Sequence, residues 1–402
     1  MDKTSSPVQG ALVPVAEARF RYARIPTAML YFDHAATTPL RPEVADAMVN
    51  TPWGNPSGLH GVARAAKNAL EAARERTAIL IGASHPLEII FLGGGTEADN
   101  LALKGAALAS PGGGVVTVAT EHEAVLKAAN WLGTRGHPVT VVGVDRSGRV
   151  DPEQVAAAVG PETALVSVMA ANNETGVRQP VRKVVEAVKA KNPNTLVHTD
   201  AVQAFVSEEI DVELLGIDLL SLAAHKFGGP KGVGLLYVRD KARLEPLLHG
   251  GGQELGRRSG TQNPAGVQGM RTAMELTVAD RDGFRTRVAR ARQGFEAELM
   301  RRLPDVVMTG PSDDRLVQHS HFRIPGVAAE TLLIRLDQAG LAASAGSACQ
   351  SGATEPSHVL AAMGMSAAAA AGCLRFSFGW NTHPDDGAEA AAVVVSEVGR
   401  LR

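Results

Sequence analysis

Residues 87–119 read LEIIFL-GGGT-EADNLALKGAALA-SPGGG-VVTVA, and their pattern decides the fold. Leu87–Leu92 is a short apolar run stopped by three glycines, which predicts a buried strand. Thr96–Ala109 carries apolar residues at helical spacing, and Val115–Ala119 is again β-branched. Strand, glycine turn, helix and strand within one short stretch make a crossover unit, which joins parallel strands. The alternation continues. Helices are expected over Glu121–Leu132, Pro152–Val159 and Val181–Ala190, and strands over Val139–Val144, Ala164–Met169, Leu196–Thr199 and Ile217–Leu222. Gly232–Val238 reads as a hairpin neighbour of the last of these, and a helix is expected upstream from Arg64 to Leu80. The pattern predicts an α/β fold, a parallel sheet covered by helices on both faces. Such sheets take ligands at the carboxyl ends of their strands.

From about residue 284 a second unit begins. It has a long Arg-rich helix from Arg285, a strand near Gln318–Ile324 and a helix over Ala329–Gln338. The uncharged tract Val359–Leu374 reads as one buried Ala-rich helix. Residues 1–29 have no clear period and read as an appended arm. The 402 residues suggest two or three domains. Lys plus Arg is 40 against 42 for Asp plus Glu, so no basic excess points to nucleic acid. Two cysteines, Cys349 and Cys373, exclude a disulfide scaffold and a Cys-rich zinc or iron–sulfur site within one chain. No apolar run reaches the length of a membrane span, and no secretory h-region opens the chain, so a cytoplasmic location is expected.

Several polar residues follow strands. Gly93-Gly94-Gly95-Thr96 opens a helix, where backbone N–H groups and a hydroxyl suit a phosphate; equally it is a tight turn with Thr96 as helix cap. Asp200 ends a strand, as a simple cap or as a site carboxylate. Lys226 follows another buried strand, where burial favours the neutral amine needed for Schiff-base chemistry. An amine, a carboxylate and a phosphate cradle are the combination that pyridoxal phosphate requires. His122 and Asn173 have structural readings of their own, but recur at the same sheet edge. Ser344–Gly352 is a run of small residues around Cys349, which suggests a reactive thiol. Cys373 lies in apolar surroundings and reads as structural. Arg375 sits between apolar residues on a strand, and wants either a substrate carboxylate or an ion-pair partner.

Taken in order, Asp33-His34-Ala35-Ala36-Thr37-Thr38-Pro39, Gly54-Asn55-Pro56-Ser57, Gly94–Ala102, Ala171–Gly176, His225-Lys226, Gly250–Glu254, Arg258–Thr261 and Gly346–Cys349 are a specific set. From about Tyr31 onward the chain resembles the cysteine desulfurases of the NifS/IscS type, within the class V aminotransferases. The resemblance implies a fold-type I, pyridoxal 5'-phosphate-dependent homodimer with a mostly parallel seven-stranded sheet and a smaller α+β domain. The large domain is expected over 41–283, and the small one over 30–40 with 284–402. It implies that Lys226 carries the cofactor, Asp200 pairs with its ring nitrogen, Gln203 bonds its hydroxyl and His122 stacks on it. Gly95, Thr96 and His225 are implied for the phosphate, with Thr261 from the other subunit. Asn173, Arg375 and Asn55 are implied for the substrate carboxylate. Cys349 is implied as the nucleophile that takes sulfur from L-cysteine, leaves L-alanine, and passes a persulfide to an acceptor protein, a scaffold or a thiolation factor. Iron–sulfur cluster assembly is one such destination. No membrane and no direct nucleic acid contact are expected. A selenocysteine lyase or other β-lyase uses the same fold without a dedicated cysteine, so Cys349 favours desulfuration. A non-catalytic subunit of a sulfur-transfer complex would not need the full set.

Overall fold

The computed structural model describes residues 29–110, 112–346 and 357–402. The strands in chain order are β1 (Leu30–Tyr31), β2 (Ile89–Leu92), β3 (Gly114–Val118), β4 (Val139–Val142), β5 (Thr163–Ser167), β6 (Leu196–Asp200), β7 (Leu219–Ala223), β8 (Gly234–Val238), β9 (Val307–Met308), β10 (His319–Arg323), β11 (Leu341–Ala342) and β12 (Cys373–Ser377). The large sheet has seven strands in the order β2-β8-β7-β6-β5-β3-β4. β3 to β7 pair in parallel, and β8 runs antiparallel to both neighbours. Because β8 is reversed, β2 points the same way as β7. The carboxyl ends of β2, β3, β5, β6 and β7 therefore share one edge.

Side chains alternate across the pleat, so each strand feeds two cores. Ile89 and Phe91 of β2 pack on one face with Val116, Val166, Val197 and Leu220. Ile90 and Leu92 pack on the other with Val115, Leu165 and Leu219, beneath the helices Gly95–Ala109 and Glu123–Gly133. Burial on both faces explains why these strands read as unbroken apolar runs.

A second core surrounds the sheet β12-β10-β9. Phe32, Phe322, Leu374 and Phe376 pack there against Phe295 and Leu299 of the helix Arg281–Arg302 and Val394 of the helix Asp386–Leu401. These two helices touch closely at Gly387, where an added Cβ would lie 1.8 Å from the Ala291 carbonyl oxygen.

The tract Val359–Leu374 corrects the expectation of a single buried helix. It holds two short helices, His358–Ala362 and Ala367–Ala370, before β12 begins. Gly364 at φ 81° closes off the first, and the Ser366 hydroxyl caps the second by accepting from the Ala369 amide. No residue of the second helix is buried. The helix after β3 starts at Glu123 rather than Glu121, because the His122 ring caps it.

One ion pair anchors the segment after β8. Arg74 donates two parallel bonds to Glu254, at 2.7 and 2.9 Å, and both side chains are nearly inaccessible. Glu254 also accepts from the Phe91 amide and Gln262. Burial alone would raise its pKa, but Arg74 and these donors outweigh burial and lower it. The stabilisation is therefore complete above the ordinary glutamate range and is lost as pH falls through the depressed value. Arg74→Ala strands a buried carboxylate, and we expect a loss of about 3–5 kcal/mol in urea unfolding at neutral pH. A loss below about 1 kcal/mol, the level of an exposed pair, would contradict this account.

Candidate active site at the carboxyl edge of the large sheet

Asp200 is the last residue of β6, and Lys226 ends a short turn, Ala224–Lys226, directly after β7. The two strands are adjacent, with Asp200 opposite Ser221. The amine and the carboxyl thus sit at neighbouring strand ends, near enough for each charge to act on the other. Burial raises the pKa of Asp200, while His122, the Val202 amide and Lys226 pull it back down. Its Oδ1 accepts from Val202 N at 2.9 Å.

His122 stands at the end of the loop after β3. Its Nδ1 accepts from Ala124 N at 3.1 Å, which leaves the ring proton on Nε2. Burial lowers its pKa, opposed by the negative charge of Asp200, so at neutral pH the ring is an uncharged N–H donor. Glu121 turns inward instead, accepting from Met169 N at 2.5 Å.

The segment Asp33–Pro39 ties these parts together. Ala35 O accepts from Lys226 Nζ at 2.6 Å and Gln203 Nε2 at 2.9 Å, and Ala36 O accepts from Lys226 at 2.9 Å. The His225 ring meets the Thr37 hydroxyl at 3.1 Å, and burial lowers its pKa to about 4. Asp33 accepts from Arg375 Nη2 at 2.7 Å. Sequence reasoning quoted this segment only as part of a resemblance and assigned it no role. Its backbone carbonyls carry no side-chain signature.

The glycine run differs in one detail from the capping alternative. Gly94, at φ 148°, is the residue that precedes the helix, and no side chain caps it; Thr96 lies in the first turn and is exposed. A Cβ on Gly95 would meet Ala223 and Val202 at 3.3 Å, so glycine lets this helix start lie close to the ends of β6 and β7 without displacing them. Thr261 reaches the near end of this run at Gly93. With Gly93, Arg258 and Glu254 it lines a cavity of about 150 Å³.

Arg375 lies on β12 and is almost fully buried. Its Nη1 donates to the Asn173 backbone carbonyl at 2.9 Å, and its Nε has no partner among the described residues. The ion-pair alternative of the sequence reading is present, with Asp33 as partner, and the guanidinium also touches the Asn173 turn. Asn55 is not brought to this group. It is exposed, and its Oδ1 accepts from Ser57 N at 3.0 Å. Cys349 lies outside the described residues. The chain on either side of it meets at Glu174. The Ser357 hydroxyl donates to Glu174 Oε2 at 2.6 Å, and a Cβ on Gly346 would lie 3.0 Å from the same oxygen. Cys373 is buried beside Met365, and burial pushes its thiol pKa up to about 11, as befits a structural residue.

Sequence reasoning also missed a row of buried polar groups beneath Asp200. His198 bridges Ser167 and Ser221 at 2.9 Å on each side, and its Nε2 lies 3.7 Å from Asp99. Burial raises the pKa of Asp99 and Glu121, and the charge of Asp200 raises both further. The available signal was an acid, Asp99, between apolar residues on a helix face.

The donor set fits pyridoxal phosphate. A buried carboxyl with raised proton affinity suits a protonated ring nitrogen, an amine lies at the next strand end, and an open helix start can take a phosphate. The family model for class-V aminotransferases matches residues 30–386. The cysteine desulfurase IscS of Dictyoglomus turgidum is 43% identical over 89% of this chain and 91% of its own. A solved NifS-like protein superposes with a TM-score of 0.87 at 35% identity, covering 92% of this chain and 100% of the other. SspA, solved in complex with cysteine, gives a TM-score of 0.76 at 34% identity, covering 87% of this chain and 98% of the other.

Proposed function

The chain belongs to the class-V aminotransferase family, among its cysteine desulfurases, and from that footing we propose how its own residues do the work. The observation that carries the proposal is Lys226 and Asp200 at adjacent strand ends, each acting on the other's charge. Pyridoxal phosphate, when bound, supplies an aldehyde for an amine and a ring that draws electrons from the α-carbon of an amino acid. Lys226 provides the amine that holds it, and afterwards a base for the α-proton. Asp200 keeps the proton on the ring nitrogen. Gln203 bonds the ring hydroxyl, and His122 covers the ring with its neutral face. Gly95, Thr96 and His225 take the phosphate, with Thr261 supplied by a second copy of the chain in a homodimer. Arg375 and Asn173 hold the carboxylate of L-cysteine; Asn55, exposed and bonded to Ser57, would have to move to join them.

Cys349 attacks the substrate sulfur as a thiolate. The carbon–sulfur bond breaks, L-alanine leaves, and the sulfur stays on Cys349 as a persulfide for an acceptor protein. Gly346 and Ser357, which flank that segment, both lie at Glu174 on the turn that carries Asn173. This placement supports delivery of Cys349 to the carboxylate end of the site. We assign residues 41–283 to the cofactor domain, 30–40 with 284–402 to the domain bearing the cysteine, 1–29 to an extension, and the protein to the cytoplasm. Iron–sulfur assembly, tRNA thiolation, DNA phosphorothioation and a thio-natural-product pathway are the destinations open to the sulfur.

Cys349→Ser tests the nucleophile. The purified variant is expected to keep the visible absorbance of its cofactor and to release no sulfide from L-cysteine in the presence of a thiol reductant. Sulfide release at the wild-type rate would remove Cys349 from the mechanism.

A further inference from the structure

Strand β10 carries two histidines whose place in the fold has no structural explanation. His319 and His321 are completely buried, and neither ring nitrogen of either has a hydrogen-bond partner among the described residues. Buried polar atoms are nearly always paired, so orphaned imidazole nitrogens mark a place where something else binds.

The pleat shows which way they face. In the antiparallel pair β10–β12, His319 lies opposite Ser377 and His321 opposite Arg375. Directly opposed residues share a face, as do residues two apart. His319, His321, Arg375 and Ser377 therefore line one face. Phe322, Leu374 and Phe376 line the other, against the helices. The polar face looks toward the large sheet. Ser377 Oγ accepts from Ala35 N at 2.8 Å, and Arg375 reaches Asp33 and Asn173. His319 lies against the Asn173 turn itself. A Cβ on Gly176, which sits at φ 77°, would come 2.5 Å from His319 Cβ.

The two histidines are not equivalent. The positive charges of Arg375 and Arg315 act on both, and only His319 also feels Lys226. His319 is thus paired with Ser377, whose Oγ holds the Ala35 amide, and the Ala35 carbonyl receives Lys226, with Arg375 on the same face of the strand pair. Burial, followed by these cations, lowers its pKa to about 3, so at neutral pH it offers an uncharged N–H. The Asn173 backbone favours its protonated form without meeting hydrogen-bond geometry.

Arg375 alone does not fill the acceptor sites of a carboxylate. Two of its five N–H groups already serve Asn173 and Asp33, which leaves three. A buried carboxylate has about four lone-pair sites to satisfy. We propose that His319 is a further substrate-binding residue, donating a ring N–H to the amino-acid carboxylate that Arg375 holds and so selecting substrates that carry one. This rests on the reading of the site given above.

The test uses the cofactor-loaded protein and two probes, L-cysteine and cysteamine, which keeps the amine and thiol but lacks the carboxylate. Binding of each is read from the change in cofactor absorbance. His319→Leu is expected to weaken cysteine by about tenfold to a hundredfold, the worth of a hydrogen bond to a charged group, and to leave cysteamine unchanged. His319→Gln, which retains an N–H at similar reach, is expected to recover most of the loss and controls for packing. Unchanged cysteine affinity in His319→Leu overturns the proposal. An equal loss for cysteine and cysteamine in both variants also overturns it, since that reports packing. A wild-type protein whose cofactor spectrum ignores cysteine would strike instead at the reading of the site, and the wild-type titration reveals this before any variant is compared.

Discussion

Lys226→Ala is expected to abolish covalent attachment of the cofactor and to lower desulfurase turnover by about a thousandfold or more, the combined loss of an attachment point and a base. The fold should survive. Lys226 Nζ donates to the carbonyls of Ala35 and Ala36. Losing two such bonds costs about 1 kcal/mol each, and Ala35 O keeps its bond from Gln203. The measurement is borohydride reduction of the loaded protein followed by peptide mass analysis. The wild type should carry the reduced cofactor on the peptide containing Lys226, and the variant on no peptide. Cofactor fixed to a different lysine in the wild type would refute the assignment, while the thermal midpoint reports separately on folding.

Asp200→Asn should be nearly as damaging to turnover and almost silent in binding. The amide has the shape of the carboxyl, and its oxygen can still accept from Val202 N. What it lacks is the charge that holds a proton on the ring nitrogen. We expect kcat to fall by about a hundredfold to ten-thousandfold, with cysteine affinity kept within a few fold. The neighbours should respond with defined signs. The charge of Asp200 supports the protonated form of His122, so His122 titrates lower still in the variant. The same charge raises Asp99 and Glu121, so both acids come down. A variant with wild-type kcat would show that Asp200 is a structural cap.

Several features could be read in advance because they are local. The helix Ala329–Gln338 has the expected bounds, and β2 to β8 lie within two residues of the expected strand ends, apart from a turn over Pro86–Glu88 at the start of β2. The failure at Val359–Leu374 was also local. The tract is uncharged throughout, yet Ser357, Gly364 and Ser366 mark the caps and the break that divide it into two helices. The site was legible in part. Lys226, Asp200, Gln203, His122 and His225 fall after strands that share an edge. The Asp33–Arg375 pair joins residues 342 apart in the chain, and the Ala35 and Ala36 carbonyls have no side-chain signature to read.

The sequence by itself determined the alternation of strand and helix, the edge at which polar residues collect, and the amine and carboxyl at that edge. These follow from periodicity and from the direction of the chain in crossover units. Only the tertiary structure decided that Arg375 is shared between Asp33 and Asn173, that Asn55 stands apart, and that two histidines face inward beside that arginine. Which face a strand buries, and what lies opposite, depends on pairing register between distant segments, and no local pattern encodes that register.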